Sequence, residues 1–364
     1  MTAATTSEAR RPRKALAWII ANRGLILSTI FLAALPFLLA IIDGQSIAGV
    51  LANESGQSKF FQGLLIEVFI LAIYALSYDL LLGVTGLLSF GHAMFFALGA
   101  YTSGIMIKNF GWGLLPSLGM VLLVSVLNAL LFGVVLPRVK GITFALVTLG
   151  LAAVFEIIIK SREMLALTGA DVGLQGVVIP DILNPSTQRL RLYFVGLALM
   201  LLVYLIYRRF VDSPTGRVCI AMRENEERAM MLGYNTFYFR LIVLIISSIT
   251  AGLAGMLHMI HQPIVSPNVA GLGYTIVALL IILIGGVGTL SGALIGAAVY
   301  RLVQYFLDRW FGESANFLLG VVYVALVLFV PYGIVGTWRL RRFQIRQGWQ
   351  RLGRLLTGSR DQPG

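Results

Sequence analysis

The chain has 364 residues, of which 58% are hydrophobic and only 12% charged, whereas a soluble domain carries roughly 25% charged residues; it reads as an integral membrane protein. Its formal net charge of +12 is spread in short runs between apolar stretches, which fits membrane topology and anionic lipid and excludes a basic face for nucleic acid. A single cysteine, Cys219, and three histidines without zinc spacing leave neither an internal disulfide nor a multi-cysteine metal site.

Taken in chain order, Arg10, Arg11, Arg13, Lys14 and Arg23 precede an apolar run that ends near Ile42. The run exceeds the ~7–15 apolar residues of a secretory signal and no small-residue cleavage site follows directly, so a retained first helix is expected. Further apolar stretches bring the expected spans to ten, near 24–42, 64–82, 87–107, 114–136, 142–159, 192–210, 240–261, 271–285, 290–307 and 316–337, the eighth being short. With the N-terminus inside, most of the 28 Lys and Arg fall before the first span, at Arg138 and Lys140, between Arg208 and Arg240, and after Arg339. That bias follows the positive-inside rule and places both termini in the cytoplasm. The predicted organisation is therefore an all-α polytopic membrane protein: a basic cytoplasmic N-terminus (1–23), a transmembrane domain (24–338) that includes a cytoplasmic segment (211–238), and a basic tail (339–364). Phe343, Ile345, Trp349 and Leu352 in the tail suit an interfacial helix.

Two connections are longer than a turn. The external one, from Lys160 to Arg191, carries TGADVGLQG, Pro180 and Pro185 and reads as a structured or re-entrant loop. The internal one, Ser213 to Asn235, reads SPTGRVCIAMRENEERAMMLGYN. Ser213 followed by Pro214 is a helix start, because proline lacks the N–H that would be orphaned there. Asn225 caps a second helix whose first turn holds Glu226 and Glu227, and Gly233 supplies a left-handed stop. Two short helices are expected, with apolar residues such as Ile220, Met230, Met231 and Leu232 that need a partner or the bilayer to cover them.

Within the spans, Ser89, Gly91, Ala93 and Ala97, and Gly292 and Gly296, form small-residue faces that let helices approach closely. Ionisable and amide groups there need a reason: Glu67 and Glu156 lie toward the external ends, Asp79 and His92 toward the inside, and Asn128 near mid-membrane. Glu67, Asn128 and Glu156 are candidates for a substrate pathway, against snorkelling or helix-end hydrogen bonds; Asp79 has the same alternative, and His92 reads as a packing or capping residue. No phosphate loop, metalloprotease motif, nucleophile elbow or potassium-type filter occurs, so no catalytic residue, metal or cofactor is expected in this chain.

Four blocks, Ser77–Thr102 (SYDLLLGVTGLLSFGHAMFFALGAYT), Gly141–Ala152 (GITFALVTLGLA), Ser213–Asn235 and Gly285–Val299 (GGVGTLSGALIGAAV), resemble in sequence and order the LivM type of branched-chain amino-acid ABC permease. The resemblance implies an importer of branched-chain or other hydrophobic amino acids in the bacterial cytoplasmic membrane. It further implies a LivH-like second permease, LivG- and LivF-like ATPases that hold ATP and Mg, and a periplasmic binding protein. On it, the 213–235 block is the ATPase-coupling region, with Arg217, Arg223, Glu224, Asn225, Glu227, Arg228 and Gly233. The family's external loop commonly reads T-G-G-x-x-G-L, whereas Ala170 stands here at the second glycine, leaving room for another cargo such as urea or short amides. The alternative from a different class is a stand-alone secondary transporter, for which a buried ion relay or matched broken helices would be expected.

Overall fold

The computed structural model describes residues 23–338 except 55, 140 and 331, and among these every regular element is helical apart from one isolated antiparallel bridge between Leu174 and Val265. The basic segments at both ends, and with them the expected interfacial helix of the tail, lie outside the described residues. The chain divides into two compact units, residues 1–62 and 63–364.

The first unit holds α1 (Arg23–Ile42) and α2 (Ile47–Leu51), the latter capped by Ser46, which accepts from the Gly49 N–H at 3.0 Å. Its last residues begin α3 (Gln57–Tyr78), which continues into the second unit and widens into a π-helical turn over Asp79–Val84. There follow α4 (His92–Phe110), α5 (Leu114–Val135), α6 (Ile142–Lys160), α7 (Leu165–Thr168) and α8 (Arg189–Asp212). The chain then forms α9 (Pro214–Glu224), α10 (Glu226–Met231), α11 (Thr236–His261), α12 (Leu272–Gly285), α13 (Leu290–Phe311) and α14 (Ala315–Phe329).

Seven of these helices are long and apolar enough to cross a membrane: α1, α3 with its π turn, α5, α6, α8, α11 and α13. The other three expected spans differ for physical reasons. Helix α4 has 19 residues but carries His92, Ser103, Lys108, Asn109 and two glycines, which lower its hydropathy. It is largely buried within the unit, so protein rather than lipid surrounds His92 and Ser103, while Lys108 near its end is exposed. Helix α12 has 14 residues, about 21 Å of helix against an apolar bilayer core of about 30 Å. Helix α14 has 15 residues and falls short in the same way.

Glycine sets the spacing at the centre. A Cβ on Gly255 would lie 2.8 Å from the Ala100 nitrogen, and one on Gly99 would lie 2.5 Å from the Gly252 Cα, so α4 and α11 touch backbone to backbone. Gly292 and Gly296 do the same for α13 against Gly285 and Ile281 of α12. Ser89, Ala93 and Ala97 are fully buried, Ala93 N–H donates to Thr275 Oγ1 at 2.9 Å, and a Cβ on Gly91 would strike the Thr148 carbonyl. The 160–191 connection is ordered by short helical turns and by the Leu174–Val265 pair, joined by hydrogen bonds of 3.0 and 2.9 Å. Ala170 in this loop has φ of +48°, a conformation in which an L side chain crowds its own backbone and glycine does not. Glycine at position 170 would remove that crowding, a reason for glycine there that lies in the backbone turn alone.

Candidate functional site

Two places in the second unit concentrate charge. The first is the elbow of α9 and α10, which forms where its cap residues dictate. Ser213 Oγ accepts from the Gly216 N–H at 3.2 Å with Pro214 in the first turn, Asn225 Oδ1 accepts from the Arg228 N–H at 2.8 Å, and Gly233 closes the segment at φ +88°. Cys219, Met222 and Ala229 turn inward, and burial pushes the Cys219 thiol up to about 11. Glu226 is tied to Arg240 at 2.7 Å and accepts from Thr236 Oγ1, which fixes α10 to the start of α11. Outward lie Arg217, Glu224, Glu227 and Arg228 beside an uncovered apolar patch in which Met231 and Leu232 are 85% and 73% exposed.

Arg223 behaves differently from its neighbours. Its Nη1 donates to the carbonyl of Gly83, in the π-helical turn that ends α3. Beside it, fully buried Asp79 accepts from the Gly288 N–H at 2.7 Å. Gly288 belongs to the turn joining α12 to α13. A Cβ on Gly83 would lie 2.6 Å from the Gly288 nitrogen, so the two glycine strings GVTG and GVGTLSG meet where α9 touches the bundle. Asp79 is therefore neither exposed nor snorkelling.

The second place is at the far end of α11, a helix of 26 residues and so about 39 Å long. A cavity of 380 Å³ opens there between α3, α11, α12 and α13. Glu67 lies in its wall and is ion-paired with Arg301 Nε through Oε2. Gln262 Nε2 donates to Glu67 Oε1 at 2.9 Å, His261 Nε2 lies 3.7 Å from the same oxygen, and Arg301 Nη1 reaches Gln304 Oε1 at 3.4 Å. Ile70, Leu71 and Val277 give the apolar wall, and Tyr274, Tyr300, His258 and Asp308 also line the cavity.

The remaining expected residues are scattered. Glu156 pairs with Lys160 at 2.7 Å one helical turn away and is not among the residues that line the cavity. Asn128 is buried in α5 with neither side-chain polar atom hydrogen-bonded. His92 is fully buried at the start of α4, with Nε2 2.8 Å from Ser77 Oγ and its ring stacked on Tyr74, which is a packing role. Among the described residues no group of His, Cys, Asp and Glu could hold a metal. The residue that sequence reasoning missed is Arg301. Its signal was available, an arginine inside an apolar span, but the partner lies 234 positions away.

The family described as branched-chain amino acid transport system / permease component matches residues 60–331. The high-affinity branched-chain amino acid transport system permease protein LivM of Salmonella typhimurium (strain LT2) is 29% identical over 287 residues, which cover 72% of this chain and 67% of that protein. LivM of Escherichia coli K12 is 28% identical with the same coverage. LivH of E. coli K12 is 23% identical over 286 residues, 73% of this chain and 91% of that one. No solved structure matches.

Proposed function

The chain belongs to the branched-chain amino acid transport permease family, and on that premise we propose that it imports branched-chain or other hydrophobic amino acids as one half of a heteromeric permease. As a permease component it is a multi-pass membrane protein and is not itself catalytic. Its partners are a LivH-like second permease, LivG- and LivF-like ATPases that bind ATP and Mg, and a binding protein that delivers the substrate. Both termini are cytoplasmic and ten helices traverse the bilayer, three of them relying on protein neighbours for part of their length. The alternating access of the pathway is driven by the ATPases through α9 and α10, with Arg217, Arg223, Glu224, Asn225, Glu227, Arg228 and Gly233 in that contact. Glu67, Asn128 and Glu156 belong to the substrate route, Glu67 at the cavity, Asn128 in the bundle interior and Glu156 beside Gly271, where α12 begins.

The observation that carries this reading is the elbow: two capped helices hold charges and bare methionine and leucine side chains outward while Arg223 grips the glycine turns of α3 and α12–α13. Exposed apolar surface of this kind marks an interaction site. Truncating one side of a buried interfacial charge pair costs about 2–5 kcal/mol. In the assembled complex, Glu224→Arg and Arg228→Glu should therefore each abolish uptake and the stimulation of ATP hydrolysis by loaded binding protein, at normal membrane levels of the chain. Unchanged uptake and stimulation in both variants would reduce the segment to a solvated loop. Two Walker-motif subunits and a second permease should accompany the solubilised chain.

A further inference from the structure

The ion pair in the cavity wall makes sense as a stand-in for a ligand. Glu67 and Arg301 are each one-fifth exposed, and each has one side held by a neutral amide, Gln262 on the carboxylate and Gln304 on the guanidinium. Partly desolvated charges of this kind persist only when compensated. An α-amino acid carries the complementary pair on one carbon, an ammonium and a carboxylate. Placed between the two side chains it replaces one ion pair by two and brings in no net charge. An amine or an acid alone would leave one protein charge unpaired, which costs more than the new contact returns. The aliphatic wall of Ile70, Leu71 and Val277 suits a branched side chain, and 380 Å³ is near the small end of ligand pockets, about 300–1,000 Å³.

We infer that this cavity is a transit site for a free α-amino acid, with Glu67 meeting the ammonium and Arg301 the carboxylate. The inference rests on the importer reading and deepens it. Because the ligand competes with an existing ion pair, binding is weak, as conduction requires a site that can be left as readily as it is reached.

The test uses the assembled complex in nanodiscs without binding protein and measures binding of labelled L-leucine. Unlabelled L-leucine and L-valine should displace it; 3-methylbutylamine, 4-methylpentanoate and urea should not. Glu67→Gln and Arg301→Gln should each weaken binding by about tenfold or more. The double variant Glu67→Gln/Arg301→Gln leaves no unpaired charge to unfold the chain and should lose binding while keeping its melting temperature. No leucine binding by the natural complex, unchanged binding in the double variant, or displacement by urea or by either half-molecule would overturn the inference. Uptake separates this from the broader reading: if that double variant binds and imports leucine normally, the site is wrong and the importer stands. If the natural complex recruits no ATPases and imports no amino acid, the importer reading itself fails.

Discussion

The two ends of the second unit hold their charged groups in opposite ways. At the α9 end, Asp79 accepts from the backbone N–H of Gly288 and Arg223 donates to the backbone carbonyl of Gly83. At the cavity end, Glu67 and Arg301 meet each other and the side-chain amides of Gln262 and Gln304. A backbone partner cannot rotate away, so the first arrangement is a joint. Side-chain partners can exchange, so the second can yield to a ligand. Helices α3, α12 and α13 take part in both, and Glu67 is separated from Gly83 by about 24 Å of helix. A rigid joint at one end and an exchangeable pair at the other is the division expected of an element that transmits movement to a substrate site.

The sharpest way to break the joint is to add a methyl group to it. In Gly83→Ala the new Cβ would sit 2.6 Å from the Gly288 nitrogen and 2.8 Å from its Cα. Backbone on both sides has nowhere to move, and overpacking of this sort costs about 1–3 kcal/mol or more. The expected outcome is a lower melting temperature of the purified complex and loss of uptake. Asp79→Ala follows: it removes the acceptor of the Gly288 N–H, and leaving a buried donor without a partner costs about 1–3 kcal/mol. No backbone has to be displaced, so the loss should be smaller than for Gly83→Ala. Asp79→Asn keeps an acceptor for Gly288 and should retain more of the binding-protein-stimulated ATP hydrolysis than Asp79→Ala. Equal activity in all three would mean that the joint carries no coupling.

Much of the α9 end was legible in sequence, because caps are local: Ser213, Pro214, Asn225 and Gly233 act within three or four residues of themselves. The joint is not legible in the sequence, because its two glycine turns lie in separate blocks and their meeting is a contact over 209 positions. The cavity was less legible still. Glu67 stood out as an ionisable group in a span, but Arg301 had been absorbed into the count of basic residues. Helix α4 shows the limit of hydropathy from the other side: His92 Nε2 meets Ser77 Oγ and the Ala93 N–H donates to Thr275 inside the unit, so a central helix need not look apolar.

Thiol chemistry sharpens the contrast between the inner and outer faces of the elbow. Cys219 is fully buried with its thiol pushed up to about 11, so near pH 8 it is both covered and protonated, and the thiolate is the reactive form. A maleimide should leave Cys219 unlabelled between pH 7 and 9 and modify it only after denaturation. A cysteine placed at exposed Glu224 or Arg228 in a Cys219→Ala background, with an ordinary thiol pKa of about 8.5, should react faster as pH rises across that interval. Reaction from the cytoplasmic face alone is the expected topology. Rapid labelling of native Cys219 would mean that α9 does not seat against the bundle as described.

The smallest effect concerns the loop at the cavity end. Ala170 holds φ at +48°, which costs an L residue about 1–2 kcal/mol, and glycine would relieve that strain. Glycine also enlarges the freedom of the unfolded chain, a loss of roughly 0.5–1 kcal/mol, so Ala170→Gly should raise stability by only about 0.5 kcal/mol. The more useful readout is selectivity. Loop residues beside Leu174 and Val265 hold the connection to the start of the α12 region through a backbone pair, and that pair does not depend on a methyl group at position 170. The order of uptake among leucine, valine, phenylalanine and urea should therefore be the same in Ala170→Gly as in the natural chain, with a slightly higher melting temperature. A changed order would make Ala170 a determinant of cargo, and the cavity end would then read its substrate through the loop as well as through Glu67 and Arg301.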